Sequence, residues 1–145
     1  MNRSYKELAI QHIKHEIMDY RYYESRCRWL TKKIEEIDDK LTHGTAKSVP
    51  IFREPGGSSQ ITGNWIVAAI SDQQDLEKER DMYQHKLDEI DSWLSLLSGP
   101  ERAVVKGYLI DRKDPAEIAL TLDPAPASRS IYRSVAKSLE LIAGF

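Results

Sequence analysis

At 145 residues the chain can hold one ordinary domain, or one small domain carried on an extended element, and it is too short for a large multidomain enzyme. Its 41% hydrophobic and 30% charged residues exclude a disordered chain and suit long exposed helices, while a formal net charge of -2 excludes a protein that coats nucleic acid indiscriminately. No apolar run approaches the ~20 residues of a membrane span, and the start MNRSYKELAI lacks the apolar block of a secretory signal, so a cytoplasmic protein without a membrane partner is expected. Cys27 is the single cysteine, which rules out an internal disulfide and a zinc site of several thiolates and leaves a buried or half-buried thiol as the expectation.

From Ser4 to Leu41 neither proline nor glycine interrupts the sequence, and Ser4 with Glu7 matches the capping box that opens helices. One long helix is predicted there. Ile13, Tyr20, Cys27, Ile34 and Leu41 recur every seven residues, with Ile10, Ile17, Tyr23, Leu30 and Ile37 in the neighbouring seam; this is coiled-coil spacing, weakened where Glu24 intrudes. A Gly/Pro-rich connection follows at about 43–63, holding Gly44, Pro50, Pro55, Gly56, Gly57 and Gly63, in which VPIF is the one candidate for a short extended segment. From about Asn64 the heptad returns through Ala69, Leu76, Tyr83, Ile90 and Leu97, with Ile66, Ile70, Gln73, Met82, Leu87 and Leu94 alongside.

Two such stripes joined by a loop predict a long antiparallel helical hairpin over 1–97, coiled-coil-like, pairing with a second copy because each helix otherwise exposes an apolar ribbon. After Leu97 the pattern changes to short helices. Ser98 and Glu101 form a second capping box with Pro100 in the first turn, opening a helix to Arg112; Asp114, Pro115 and Glu117 open another, to about Leu122. The third, SRSIYRSVAKSLELI at 128–142, sets Arg129, Arg133 and Lys137 four residues apart on one face, and Ile131, Val135, Leu139 and Ile142 on another.

The expected fold is therefore all-α, the hairpin being followed by a small three-helix domain over 98–145. A basic amphipathic last helix braced by a shorter one is the pattern of a helix-turn-helix, whose final helix enters the major groove of double-stranded DNA. Ser128, Arg129, Ser130, Tyr132, Arg133, Ser134 and Lys137 are the candidate DNA-binding residues. Arg133 is the best placed for a bidentate base contact. Basic charge is confined to this footprint, since residues 64–98 carry Lys78, Arg80 and Lys86 against eight acids.

Catalytic and cofactor signals are absent. His12 and His15, with Glu16 and Asp19 nearby, lack the His-Glu-x-x-His spacing of a zinc enzyme, and no phosphate loop or Gly-x-Ser-x-Gly is present, so no enzyme, no metal and no cofactor is expected. Tyr20, Tyr22, Tyr23 and Trp29, interleaved with Arg21, Arg26 and Arg28, have the composition of a base-stacking platform. Helix packing, with charged stems lying over rings, is the expected use.

The stretch LLSGPERAVVKGYLIDRKDPAEIALTLDPAPASRSIYRSVAKSLELI resembles the C-terminal helix-turn-helix of phage regulators of the RinA and ArpU type, itself similar to region four of bacterial sigma factors. The specific points are the leucine-rich lead-in to Pro100-Glu101-Arg102, the Tyr108-Leu109 pair, Glu117-Ile118-Ala119 and Ser130-Ile131-Tyr132-Arg133. The two long helices and their connection also resemble the layout of that family. The resemblance implies a phage or prophage activator of late gene transcription that binds promoter DNA, with host RNA polymerase as a further partner and the hairpin as dimerisation or polymerase-contact arm. One departure is the DPAPASRS connection before Ile131, with two prolines and about two residues more than the family has there. Either the turn is longer, or Asp123 caps a helix that starts at Pro124. Two other functions share the same pattern: a small terminase subunit of phage DNA packaging, and a helical interaction protein whose terminal helices cap the hairpin without touching DNA.

Overall fold

The computed structural model describes residues 2–44, 58–122 and 124–145, mostly helical with turns and irregular connections, and with no strand among them. Among the described residues six α-helices run α1 Asn2–Met18, α2 Tyr20–Asp39, α3 Ser58–Ser95, α4 Gly99–Val105, α5 Pro115–Leu120 and α6 Ser128–Ala143. Two π-helical turns, π1 Lys40–Gly44 and π2 Lys106–Ile110, extend α2 and α4. No helix among the described residues is long and apolar enough to cross a membrane.

Several predicted boundaries move. The first helix opens at Asn2, so Ser4 lies inside it and is not its cap; nothing upstream of Ser4 breaks a helix, and a capping box is only a local preference. The expected single helix divides at Asp19, although the hydrogen-bond ladder passes through: the Asp19 N–H donates to His15 and Glu16 carbonyls, and the Tyr23 N–H to Asp19. Arg112 Nη2 donates to the Met18 carbonyl at this point (3.2 Å), a long-range partner that local pattern does not reveal. The third helix starts at Ser58 rather than near Asn64 and runs through Gly63, because one glycine costs only about 1 kcal/mol in a helix of 38 residues that contains no proline. Residues 45–57 of the expected connection, the VPIF segment among them, lie outside the described residues.

The described residues form two compact units, Met1–Tyr23 with Lys86–Phe145, and Glu24–His85. In the second unit Leu30 and Ile34 of α2 are buried. Arg26 donates to Glu79 (2.9 Å), the Cys27 thiol faces the Arg80 carbonyl (3.9 Å), and Gln73 donates to the Ile34 carbonyl (3.4 Å). Numbers rise along α2 as they fall along α3, so the two segments run antiparallel here. The Arg26 guanidinium also lies 4.7 Å from the Trp29 ring and 5.8 Å from Tyr83. Its hydrogen bond to Glu79 raises its pKa above the ordinary arginine value, against burial, which lowers it. Trp29 and Arg26 are thus engaged in helix packing, as expected. Ile70 and Met82, predicted for the seam, are 40% and 50% exposed, because Ala69 and Tyr83 occupy the facing positions and an adjacent residue points about 100° away.

In the first unit α6 packs on α1, α4 and α5, and α1 also packs on π2. Ile17, Ile90, Val105, Leu109 and Ile131 are among its most buried side chains. Arg102 closes the C-terminal end of α3 by donating to the carbonyls of Leu94 (3.0 Å), in its last turn, and Leu97 (3.1 Å), just beyond it. Glu16 accepts from Tyr23 Oη (2.7 Å) and Lys86 Nζ (3.4 Å), and Tyr20 Oη donates to Asp91 (2.9 Å).

Ser138 is fully buried in α6, and its Oγ has no hydrogen-bond partner among the described residues. An orphaned buried hydroxyl costs about 1–3 kcal/mol, and alanine is the better helix former. Ser138→Ala is therefore expected to stabilise the chain by about 1 kcal/mol, read as a higher urea midpoint at unchanged m-value. A lower midpoint would mean that the hydroxyl is satisfied.

Candidate nucleic-acid interface

Two short elements set the stage for α6. Ser98 Oγ accepts from the Glu101 N–H (3.3 Å) and donates to the Glu101 carboxylate (2.8 Å), so the predicted capping box forms, with the hydroxyl rather than the backbone N–H serving the glutamate. The helix it opens gives way at Lys106 to π2, where the Asp111 N–H donates to the Lys106 carbonyl (2.9 Å). This segment therefore ends at Ile110 instead of Arg112. Asp114 caps α5 by accepting from the Ala116 N–H (3.0 Å), with Pro115 in the first helical position. That helix stops at Leu120, not Leu122, and the Thr121 N–H and hydroxyl both return to the Ile118 carbonyl. A Cβ at Gly107 would stand 3.4 Å from Ile118, so the missing side chain lets α5 lie directly on π2.

The connection to α6 takes the longer of the two forms open in the sequence. Extended Ala127 (ψ 150) precedes the first helical residue, Ser128, and Pro124 and Ala125 are not helical. Pro126 disfavours α conformation at Ala125, which delays the helix start. Asp123 lies outside the described residues. At the other end Gly144 adopts φ 86, a left-handed cap that glycine meets without strain.

Of the α6 face, Ser128, Arg129, Ser130, Tyr132, Arg133 and Lys137 are exposed and Ser134 is half-buried, while Ile131, Val135, Ser138 and Leu139 are buried on the opposite side. Among the described residues Arg129, Arg133 and Lys137 have no ion-pair partner; Glu140, the acid of this helix, sits 3.7 Å from Lys6 instead. Arg129, Arg133 and Lys137 thus form one row along a helix face, while Ser128, Ser130, Tyr132 and Ser134 are spread around the rest of the helix. Tyr132 flanks that row and meets Tyr108 edge-on, with ring centroids 5.6 Å apart.

Sequence patterns missed what lies beyond Tyr108. A cleft of about 220 Å³ is lined by Lys14, Met18, Tyr108, Leu109, Arg112 and Lys113. The adjacent Arg112-Lys113 pair was a weak signal for it, but Lys14 belongs to a helix nearly a hundred residues away. Of the His12, His15, Glu16 and Asp19 group, Glu16 is bound to Tyr23 and Lys86. No group of His, Cys, Asp and Glu suited to a metal ion occurs among the described residues.

What these features define is a class, an all-helical protein that exposes a cationic helix face over a packed apolar back. No protein-family model, curated protein or solved structure matches the chain.

Proposed function

We propose that the chain is a DNA-binding transcriptional regulator of a phage or prophage, of the late-gene-activator type, in which α5 and α6 act as a helix-turn-helix and α6 enters the major groove. The long helices α2 and α3 then form an antiparallel hairpin that dimerises or contacts host RNA polymerase. The observation that carries this reading is the row Arg129, Arg133 and Lys137, exposed and without a described acid partner, backed by the buried Ile131, Val135 and Leu139. A row of exposed cations without acid partners suits a phosphate-bearing partner. The bare N-terminal turn of α6, which no side chain caps, adds free N–H groups for the same purpose.

Each phosphate that such a row neutralises releases condensed counterions, so three contacts imply a slope of about -3 in log affinity against log salt. Fluorescence anisotropy with a duplex selected from a random pool, repeated with Arg129→Gln/Arg133→Gln/Lys137→Gln, measures it. The triple variant is expected to flatten the slope by about 3. An unchanged slope would remove α6 from the interface. A ring of eight or more copies on the same sample would favour the packaging role over regulation.

A further inference from the structure

The cationic face of α6 ends at Tyr132, and Tyr108, on which that ring rests, is shared with the neighbouring cleft. Of the six residues lining the cleft, Lys14, Arg112 and Lys113 are cations and none is acidic. Of the acids adjacent in sequence to the lining, Asp111 accepts from Arg21 (2.9 Å) and Asp114 from the Ala116 N–H (3.0 Å), while Asp19, next to Met18, is exposed and does not line the cleft. At about 220 Å³ the cleft falls below the range of about 300–1,000 Å³ typical of sites for drug-sized ligands. It has room for a single oxyanion group.

Arg112 adds an independent observation. Its φ of 55 is left-handed, a conformation that glycine takes freely and a bulky side chain takes only at a cost. The Lys113 N–H donates to the Gly107 carbonyl (2.9 Å) across this turn, and the guanidinium is held at the cleft by the Met18 carbonyl (3.2 Å). A bulky side chain in a conformation that glycine would take without strain suggests a use for that side chain.

We propose that this cleft is a phosphate-binding site, occupied by one phosphodiester of the duplex backbone beside the groove that α6 enters, an inference that rests on the duplex-binding reading. Helix α1 thereby becomes part of the interface through Lys14. The contact reads charge and not sequence, because a backbone phosphate is the same at every base pair.

The test uses the full chain with Lys14→Gln/Lys113→Gln. Arg112 is left in place because it also holds the Met18 carbonyl. Wild type is expected to show a salt slope of about -4, and the double variant one about 1 unit shallower. At about 0.1 M salt that corresponds to a loss of affinity of about tenfold, equal on selected and random duplexes. Lys113→Glu, at an exposed position, is expected to weaken binding to both duplexes without changing the unfolding midpoint. If wild type binds duplex and both variants keep its slope and affinity, the cleft proposal is overturned while the α6 reading stands. If wild type binds no duplex, the duplex reading fails, and titration of the ¹⁵N-labelled chain with inorganic phosphate decides the cleft. Shifts at Lys14, Leu109 and Arg112 that disappear in the double variant would support a phosphate site fed by the free anion; no shifts there would overturn it.

Discussion

Ile17→Ala is expected to lower the stability of the chain by about 2–5 kcal/mol, the range for truncating a buried isoleucine whose cavity the surroundings only partly fill. Ile17 is fully buried on α1, and that helix packs on both α6 and π2. Since a whole domain is stable by only about 5–15 kcal/mol, one such cavity removes a large share. The loss should also travel: amides of Val135 and Leu139, on the buried side of α6, are expected to lose hydrogen-exchange protection along with α1. Leu8→Ala is the control, because Leu8 is 68% exposed and surface changes stay within about 0.5 kcal/mol. Urea unfolding of the two variants with hydrogen exchange at residue resolution makes the comparison. A small Ile17 effect with full protection in α6 would separate α1 from the unit that carries the cationic face.

The second large effect is expected at Arg133. A guanidinium paired bidentately with a guanine is worth about 1–3 kcal/mol of discrimination, so Arg133→Ala should weaken binding to the selected duplex about 5- to 150-fold. On random duplex the variant loses only one phosphate-attracting charge, a much smaller change. Lys137→Ala, one turn further from the helix start, should weaken both duplexes alike, because an ammonium acts as a point charge and carries no planar pairing geometry. Both side chains are exposed and lack a described ion-pair partner, so neither substitution disturbs the packing beneath. The discriminating quantity is the ratio of affinities for selected and random duplex at fixed salt. Equal ratios for wild type and Arg133→Ala would mark Arg133 as another backbone contact.

Which parts of the molecule could be read locally follows from how far each interaction reaches. Ser98 with Glu101, and Asp114 with Pro115, are contacts within three residues, so the starts of α4 and α5 stand where the caps place them. The same holds for the two faces of α6: a period of 3.6 is a property of consecutive residues, and Ile131, Val135 and Leu139 are buried as their spacing requires. Exposure of Arg129, Arg133 and Lys137 is the complement of that periodicity. The alternatives at the DPAPASRS connection were the boundary of this reach, since prolines restrict their neighbours but leave open whether a longer turn or an earlier helix results.

Chain order alone therefore determined an all-helical protein, the caps of α4 and α5, and a last helix divided into cationic and apolar halves, because each of these is written in neighbours three or four positions apart. Tertiary structure decided the rest: the division at Asp19 beside the Arg112–Met18 contact, the inclusion of α1 in the unit of the terminal helices, and the gathering of Lys14 with Arg112 and Lys113 around one cleft. Those features join residues nearly a hundred positions apart, and the free energy that brings them together is the burial of shared apolar surface, which no local spacing encodes.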